Sequence, residues 1–152
     1  MPMDPVARLL AERACERLMT DYTRFIDFGE AGRIADLFTA DGIWEADGVQ
    51  MVGRDAIRAG FSARQGVERR TSRHVCTNVA VDVLGPHEAR ALSYLVNYRH
   101  DSRRGTAERP APVDHPKFVG EYHDRFVHTA DGWRFAHRRC DLAFVRLRGT
   151  RT

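Results

Sequence analysis

The chain predicts an α+β fold, and three observations carry that prediction. Apolar residues recur at helical spacing only as far as Arg64. From Arg73 onward the pattern alternates with a period of two. Tight-turn signals, Leu84-Gly85-Pro86 and Ala130-Asp131-Gly132, join the alternating segments, so consecutive strands run antiparallel. Helices first and strands afterwards define a segregated α+β arrangement. Its natural packing is a curved antiparallel sheet wrapped around a long N-terminal helix, a cone-shaped barrel whose interior several strands can reach. The 152 residues suit one domain with a real core and leave no room for two typical ones. Residues 1–152 are therefore read as a single domain, with its core over about 5–147.

The elements follow in order. Asp4 before Pro5 reads as an N-cap with proline at the first helical position. Val6, Leu10, Ala14, Leu18, Tyr22, Phe25 and Ile26 then mark one amphipathic helix ending near Gly29. Asp27 falls about 180° from Leu18 on the helical wheel, so periodicity alone makes it a solvated carboxylate. Glu30 to Phe38 reads as a short second helix with Ile34, Leu37 and Phe38 on its apolar side. Asp47-Gly48 supplies the positive φ angles of a hairpin turn between IWEA and VQMV. A third helix runs from Arg54 to about Arg64, with Ile57 and Phe61 one turn apart. Residues 65–72 form a polar connector. Strands follow at 73–83 and about 89–100. Residues 101–116 carry three prolines and many charges and form a flexible loop, either a flap over a pocket mouth or a surface excursion. Residues 117–128 and 133–146 make the last hairpin.

The strand RHVCTNVAV, from Arg73 to Val81, is the stretch of greatest chemical interest. By alternation His74, Cys76, Asn78 and Ala80 face one way, while Val75, Thr77, Val79 and Val81 face the other. A histidine on the cavity side titrates near neutrality and can exchange a proton at working pH. A core histidine satisfied by a carbonyl remains the plainer alternative. The valine face needs a cover, which implies a homo-oligomer, trimer or dimer.

Composition excludes several classes. Hydrophobic residues make up 43% and charged residues 30% of the chain, with a net charge of +3; this is the range of folded, soluble proteins. The basic side is almost wholly arginine, and Lys117 is the only lysine. It lies in neither a P-loop nor a Schiff-base motif. Basic runs are too short for a nucleic-acid surface. The three cysteines are far apart, without the spacing of a disulfide framework or zinc site. The histidines show no metal-ligand spacing. No stretch reads as a signal peptide or a membrane span, so the reading is a cytoplasmic protein with no cofactor, metal, nucleic-acid or membrane partner.

A set of markers in fixed order resembles the SnoaL-like family of the nuclear-transport-factor-2-like (cystatin-like α+β) superfamily. They are Tyr22 and Asp27 in Y-x-x-x-x-D, F-x-x-D-G-x-W from Phe38 to Trp44, G-R-D-A-I opening the third helix, H-x-x-T-N at His74, Thr77 and Asn78, and D-G-W-R-F in the last hairpin. The resemblance spans about Val6 to Phe144. Scytalone dehydratase, the bile-acid 7α-dehydratase and hexachlorocyclohexane dehydrochlorinase are similar in layout. They imply an aspartate at the end of the first helix beside a histidine on the first long strand, here Asp27 and His74. It is this resemblance that puts Asp27 in a pocket. It also brings Asn97 and His100 to positions where relatives carry a second acid or histidine, although by alternation the two cannot both face inward.

Centring the last turn on Ala130-Asp131 sets His128 opposite Trp133, His123 opposite Arg138 and Glu121 opposite Cys140. Arg138 matches the family arginine, which puts His123 and Glu121 inside with it. The alternative is an ordinary surface pair of Arg139 with Asp124. Trp44, Phe61, Val96 and Phe144 are candidate apolar walls. The resemblance implies a cofactor-independent, dehydratase-like lyase or isomerase acting on a small hydrophobic, cyclic substrate. His74 would be the base, Asp27 its orienting partner, and Tyr22 and Arg138 the oxygen stabilisers. A non-catalytic subunit of the ring-hydroxylating dioxygenase type and a polyketide-cyclase-like protein are the alternatives.

Overall fold

The structure, a computed structural model, describes residues 3–65 and 67–147. Helix α1 spans Pro5–Asp27. The Asp4 carboxylate accepts from the Ala7 N–H at 2.9 Å, which satisfies one of the four donors a helix start leaves open. Gly29 follows the helix at φ 81°, the left-handed backbone that ends helices cheaply in glycine. The buried stripe of α1 runs through Ala11, Cys15, Leu18, Met19 and Tyr22. Val6 and Leu10, expected on that stripe, are exposed. The helix meets the sheet there through small side chains, with Ala11 and Cys15 sharing a cluster with Ala89 and Ala91.

The expected second helix is a 3₁₀ helix over Ala31–Leu37. Strand β1 (Phe38–Ala46) and strand β2 (Val49–Val52) turn through Asp47 at φ 48° and Gly48 at φ 76°, as the Asp-Gly signal requires. Helix α2 (Arg54–Gln65) buries Ile57 and Phe61. Gly66 of the expected connector lies outside the described residues. Strand β3 (Arg70–Gly85) begins three residues before the predicted start. Strands β4 (Glu88–Asp101), β5 (Phe118–Thr129) and β6 (Gly132–Val145) complete the regular elements of the described residues.

The six strands form one curved, unclosed sheet in the order β2-β1-β6-β5-β4-β3. Every pairing is antiparallel except β1 with β6, which is parallel. That corrects the expectation of a wholly antiparallel sheet. A long connection separates these two strands, so no hairpin turn dictates their direction. Phe38, Phe61, Leu95, Phe126 and Phe135 are fully buried between α1, α2 and the inner face of the sheet.

Two bulges decide which side chains face inward. On β3 the register slips between Thr77↔Tyr94 and Ala80↔Leu92, and Asn78 takes φ 51°. One extra residue reverses the parity of everything beyond it. Ser72, His74 and Cys76 therefore point inward before the bulge, and Val81 and Val83 do so after it. Asn78 and Ala80 are exposed, which corrects their placement beside His74. On β6 the register slips at Ala136, between Arg125↔His137 and Phe126↔Phe135. The predicted pairing of His128 with Trp133 is present, but beyond the bulge Asp124 stands opposite Arg138, and His123 opposite Arg139.

Candidate active site

A cavity of about 380 Å³ opens between the C-terminal half of α1, the end of α2 and the inner face of the sheet. The buried Tyr22, Trp44, Tyr122 and Cys140 line its inner part. Ile26, Phe118 and Leu142 add apolar wall, and Ser72, His74 and Asn97 come from β3 and β4.

Asp27 is the last residue of α1, and the start of β3 crosses the chain there. Its carboxylate accepts from the Ser72 hydroxyl at 2.7 Å and from the His74 backbone N–H at 2.7 Å. The same carboxylate lies 2.7 Å from His74 Nδ1. Only 5% of the Asp27 side chain and 10% of the His74 side chain are exposed. The wheel expectation of a solvated Asp27 is therefore corrected. A helix-end carboxylate is placed by whatever strand passes the terminus, which periodicity within the helix does not register. With Nδ1 committed to the carboxylate, Nε2 is the ring nitrogen left for the cavity. Asp27 stands behind the ring and does not itself line the space.

Tyr22 projects from the middle of the buried stripe of α1. Its hydroxyl accepts from Trp44 Nε1 at 2.9 Å, which leaves its own proton to donate. Burial raises the Tyr22 pKa, against the lowering effect of the Arg138 and Arg64 charges, so the phenol stays protonated. Phe61 is one layer back, edge-on to Tyr22 and Trp44 at 5.8 and 5.4 Å; it supports the wall without lining it. Asn97 is buried, opposite His74 on the ladder, and lines the cavity.

Other expected site residues lie elsewhere. Arg138 is fully buried outside the cavity lining, with Nε and Nη2 on the Asp124 carboxylate at 2.8 and 2.9 Å. Burial works against its charge, but Asp124 outweighs this and raises its pKa. Among the described residues Arg138 Nη1 has no hydrogen-bond partner, but the side chain does not border the cavity. The bulge at Ala136 sets Asp124 and not His123 opposite Arg138, and Glu121 and His123, alternating on β5 with the buried Tyr122, Asp124 and Phe126, lie on the outer face beside Asp141. Val96 and His100 have outer-face parity on β4, and His100 stands 3.6 Å from Glu108. Phe144 is exposed, because a further slip near Ala143 pairs it with Val119 and sets Val145 opposite Phe118, so that Val145 lines the cavity in its place.

Residues 102–116 contribute nothing to the lining. They are tied to the approach to β3, through Ala107 N–H to the Glu68 carbonyl at 3.2 Å and Thr71 Oγ1 to the Glu108 carbonyl at 2.9 Å. The sequence reading missed Ser72, Tyr122 and four cations, Arg64, Arg70, Arg99 and Lys117, all of which line the cavity. Ser72 and Arg99 share strand parity with His74 and Asn97, and that signal was available.

The helix-filled, unclosed sheet is the cystatin-like α+β fold of nuclear-transport-factor-2-like proteins. The model of the SnoaL-like domain matches residues 7–139, and the chain belongs to that family. Comparison with curated proteins gives no match. Among solved structures, the chain is similar to a Novosphingobium aromaticivorans protein provisionally assigned as a scytalone dehydratase, at TM-score 0.80 and 23% identity over 97% of this chain and 94% of that one. It is also similar to the hexachlorocyclohexane dehydrochlorinase LinA-type3 of Novosphingobium barchaimii, at TM-score 0.74 and 13% identity over 98% of each chain. Rv3472 of Mycobacterium tuberculosis, a protein of unknown function, is 27% identical over 93% of this chain and 78% of that one, at TM-score 0.72. The first two likenesses speak to the fold alone.

Proposed function

We propose that this protein is a cofactor-independent lyase of the dehydratase type, acting on a small, largely hydrophobic cyclic substrate. The observation that carries the reading is the 2.7 Å contact between Asp27 and His74 Nδ1 beside the cavity of about 380 Å³. Asp27 fixes the tautomer with Nδ1–H, so Nε2 takes a proton from a substrate carbon. The electron pair of that C–H bond forms the new double bond, and the group on the neighbouring carbon leaves with its own bonding pair. If that group is a hydroxyl, the imidazolium returns the proton to it and water departs. Tyr22 donates to the oxygen on which charge develops.

Positioned general acid–base catalysis supplies about 10²–10⁴-fold, and the remainder comes from binding and orientation. The test is a screen of cyclic β-hydroxy carbonyl compounds in deuterated water, following loss of water and deuterium at the carbon next to the carbonyl. His74→Ala is expected to lower the rate by about 10²–10⁴-fold, and Asp27→Asn to lower it by more than tenfold with little change in KM. A substrate turned over equally well by His74→Ala would sink the proposal.

The reading also includes a homo-oligomer. Val75, Leu92, Tyr94 and Tyr98 leave the outer face of β3 and β4 partly exposed and apolar, a surface suited to a second copy of the chain.

A further inference from the structure

We infer that the substrate carries an oxyanion head group, a carboxylate or a phosphate ester, held by Lys117 and Arg64 while its apolar body reaches toward His74. This deepens the lyase reading and rests on it.

The charge of the lining is mostly positive. Arg64, Arg70, Arg99 and Lys117 all border the cavity, and among the described residues the only lining carboxylate is Asp47. Asp101 stands just outside and occupies two of the cations, accepting from Arg70 Nε at 2.8 Å and Arg99 Nη2 at 2.6 Å. The other two are uncommitted. Among the described residues neither Lys117 nor Arg64 has a carboxylate partner. Arg64 lies over the rings of Trp44 and Phe61, at 5.3 and 5.1 Å, and so is aimed across the apolar wall.

Lys117 is held in place by its backbone. Its N–H donates to the Asn97 carbonyl at 2.7 Å, and its carbonyl accepts from the Arg146 N–H at 2.9 Å. The sole lysine of the chain is thus presented at the head of β5, one residue from the apolar wall at Phe118. Burial, followed by the charges of Arg99, Arg70 and Arg64, pushes the Lys117 pKa below its ordinary value despite the opposing pull of Asp101. Like charges gathered in a half-buried rim repel one another, and an anion seated among them relieves that repulsion. The inner wall of Ile26, Trp44 and Leu142 is apolar. A cavity with an apolar interior and a cationic border fits an amphiphile with its charge at one end.

The test uses unreactive probes and the full chain. Benzoate, phenyl phosphate and the neutral benzamide are titrated at low salt against the tryptophan fluorescence; Trp44 lines the cavity and Trp133 does not. At least one anion is expected to bind about tenfold or more tightly than benzamide, with the advantage shrinking as salt is added. Whichever anion binds more tightly identifies the head group. Lys117→Gln and Arg64→Gln should each weaken that anion about tenfold, the loss of one charge-assisted hydrogen bond. Arg13→Gln, which removes the same charge from the exposed face of α1, should leave binding unchanged. Equal binding of all three probes, or equal weakening by Arg13→Gln and Lys117→Gln, overturns the inference. Probe binding does not require turnover. Anion preference without any catalysis would therefore sink the lyase reading alone, whereas His74-dependent catalysis without anion preference would sink this inference alone.

Discussion

Around Arg138 three rings close in, with its guanidinium carbon 3.9 Å from the centroid of Tyr122, 4.3 Å from Tyr22 and 4.6 Å from Phe135. Among the described residues its one carboxylate partner is Asp124, which shares its complete burial. Removing one member of such a pair leaves an uncompensated charge in the core. Asp124→Asn is accordingly expected to cost about 3–5 kcal/mol by chemical denaturation, and a loss below about 1 kcal/mol would show the pair to be well hydrated. The double change Asp124→Leu with Arg138→Met should recover much of that loss. Asp101 is a milder case. Burial raises its pKa, but hydrogen bonds and charge from Arg70 and Arg99 outweigh this and hold it well below the ordinary carboxylate range. A carboxylate depressed in the folded state contributes stability above its unfolded pKa of about 4 and loses it as pH falls through the folded value. The wild-type Tm should therefore fall more steeply below about pH 4 than that of Asp101→Asn, and parallel curves would refute the assignment. Solvent at Asp101 makes this effect small.

Elements were legible where their signals are local. Asp4-Pro5, Gly29 and Asp47-Gly48 each mark a boundary through backbone chemistry that a single residue supplies, and all three stand at their expected places. Face assignments survived only as far as the first bulge. Alternation assigned His74 and Cys76 to the inner face, then failed at Asn78; it paired His128 with Trp133 correctly, then failed at Ala136. Neither bulge has a glycine to announce it, and each is set by curvature shared among several strands. Asp27 was assigned inward by family resemblance alone, because the strand that captures it is far away in the chain. Close backbone approach is equally silent in sequence. A methyl group at Gly120 would lie 2.1 Å from the Asp141 carbonyl oxygen. Gly120→Ala is therefore expected to destabilise the β5–β6 hairpin by about 1–3 kcal/mol, measurable as a lower denaturation midpoint, whereas a neutral result would mean that the strands part easily there.

At the scale of the whole molecule, apolar side chains remain outside. Val6, Leu9 and Leu10 on α1 and Leu92 and Tyr94 on β4 are exposed. Gel filtration with light scattering at low micromolar concentration is expected to return a dimer or trimer, and Tyr94→Glu to shift it toward monomer; a wild-type monomer would remove the oligomer from the proposal. Among the described residues no helix is long and apolar enough to cross a membrane. The bulge at Ala136 acts on strand β6 as an insertion acts on a reading frame. It is an inserted letter, and the side chains after it keep the frame they would have had without it. Excising Ala136 would leave Phe135, Arg138 and Cys140 all pointing inward and would chiefly straighten the strand. An insertion elsewhere on β6 would turn the following side chains inside out. The sheet thus records its curvature and its inner contents separately, and one can be edited while the other is preserved.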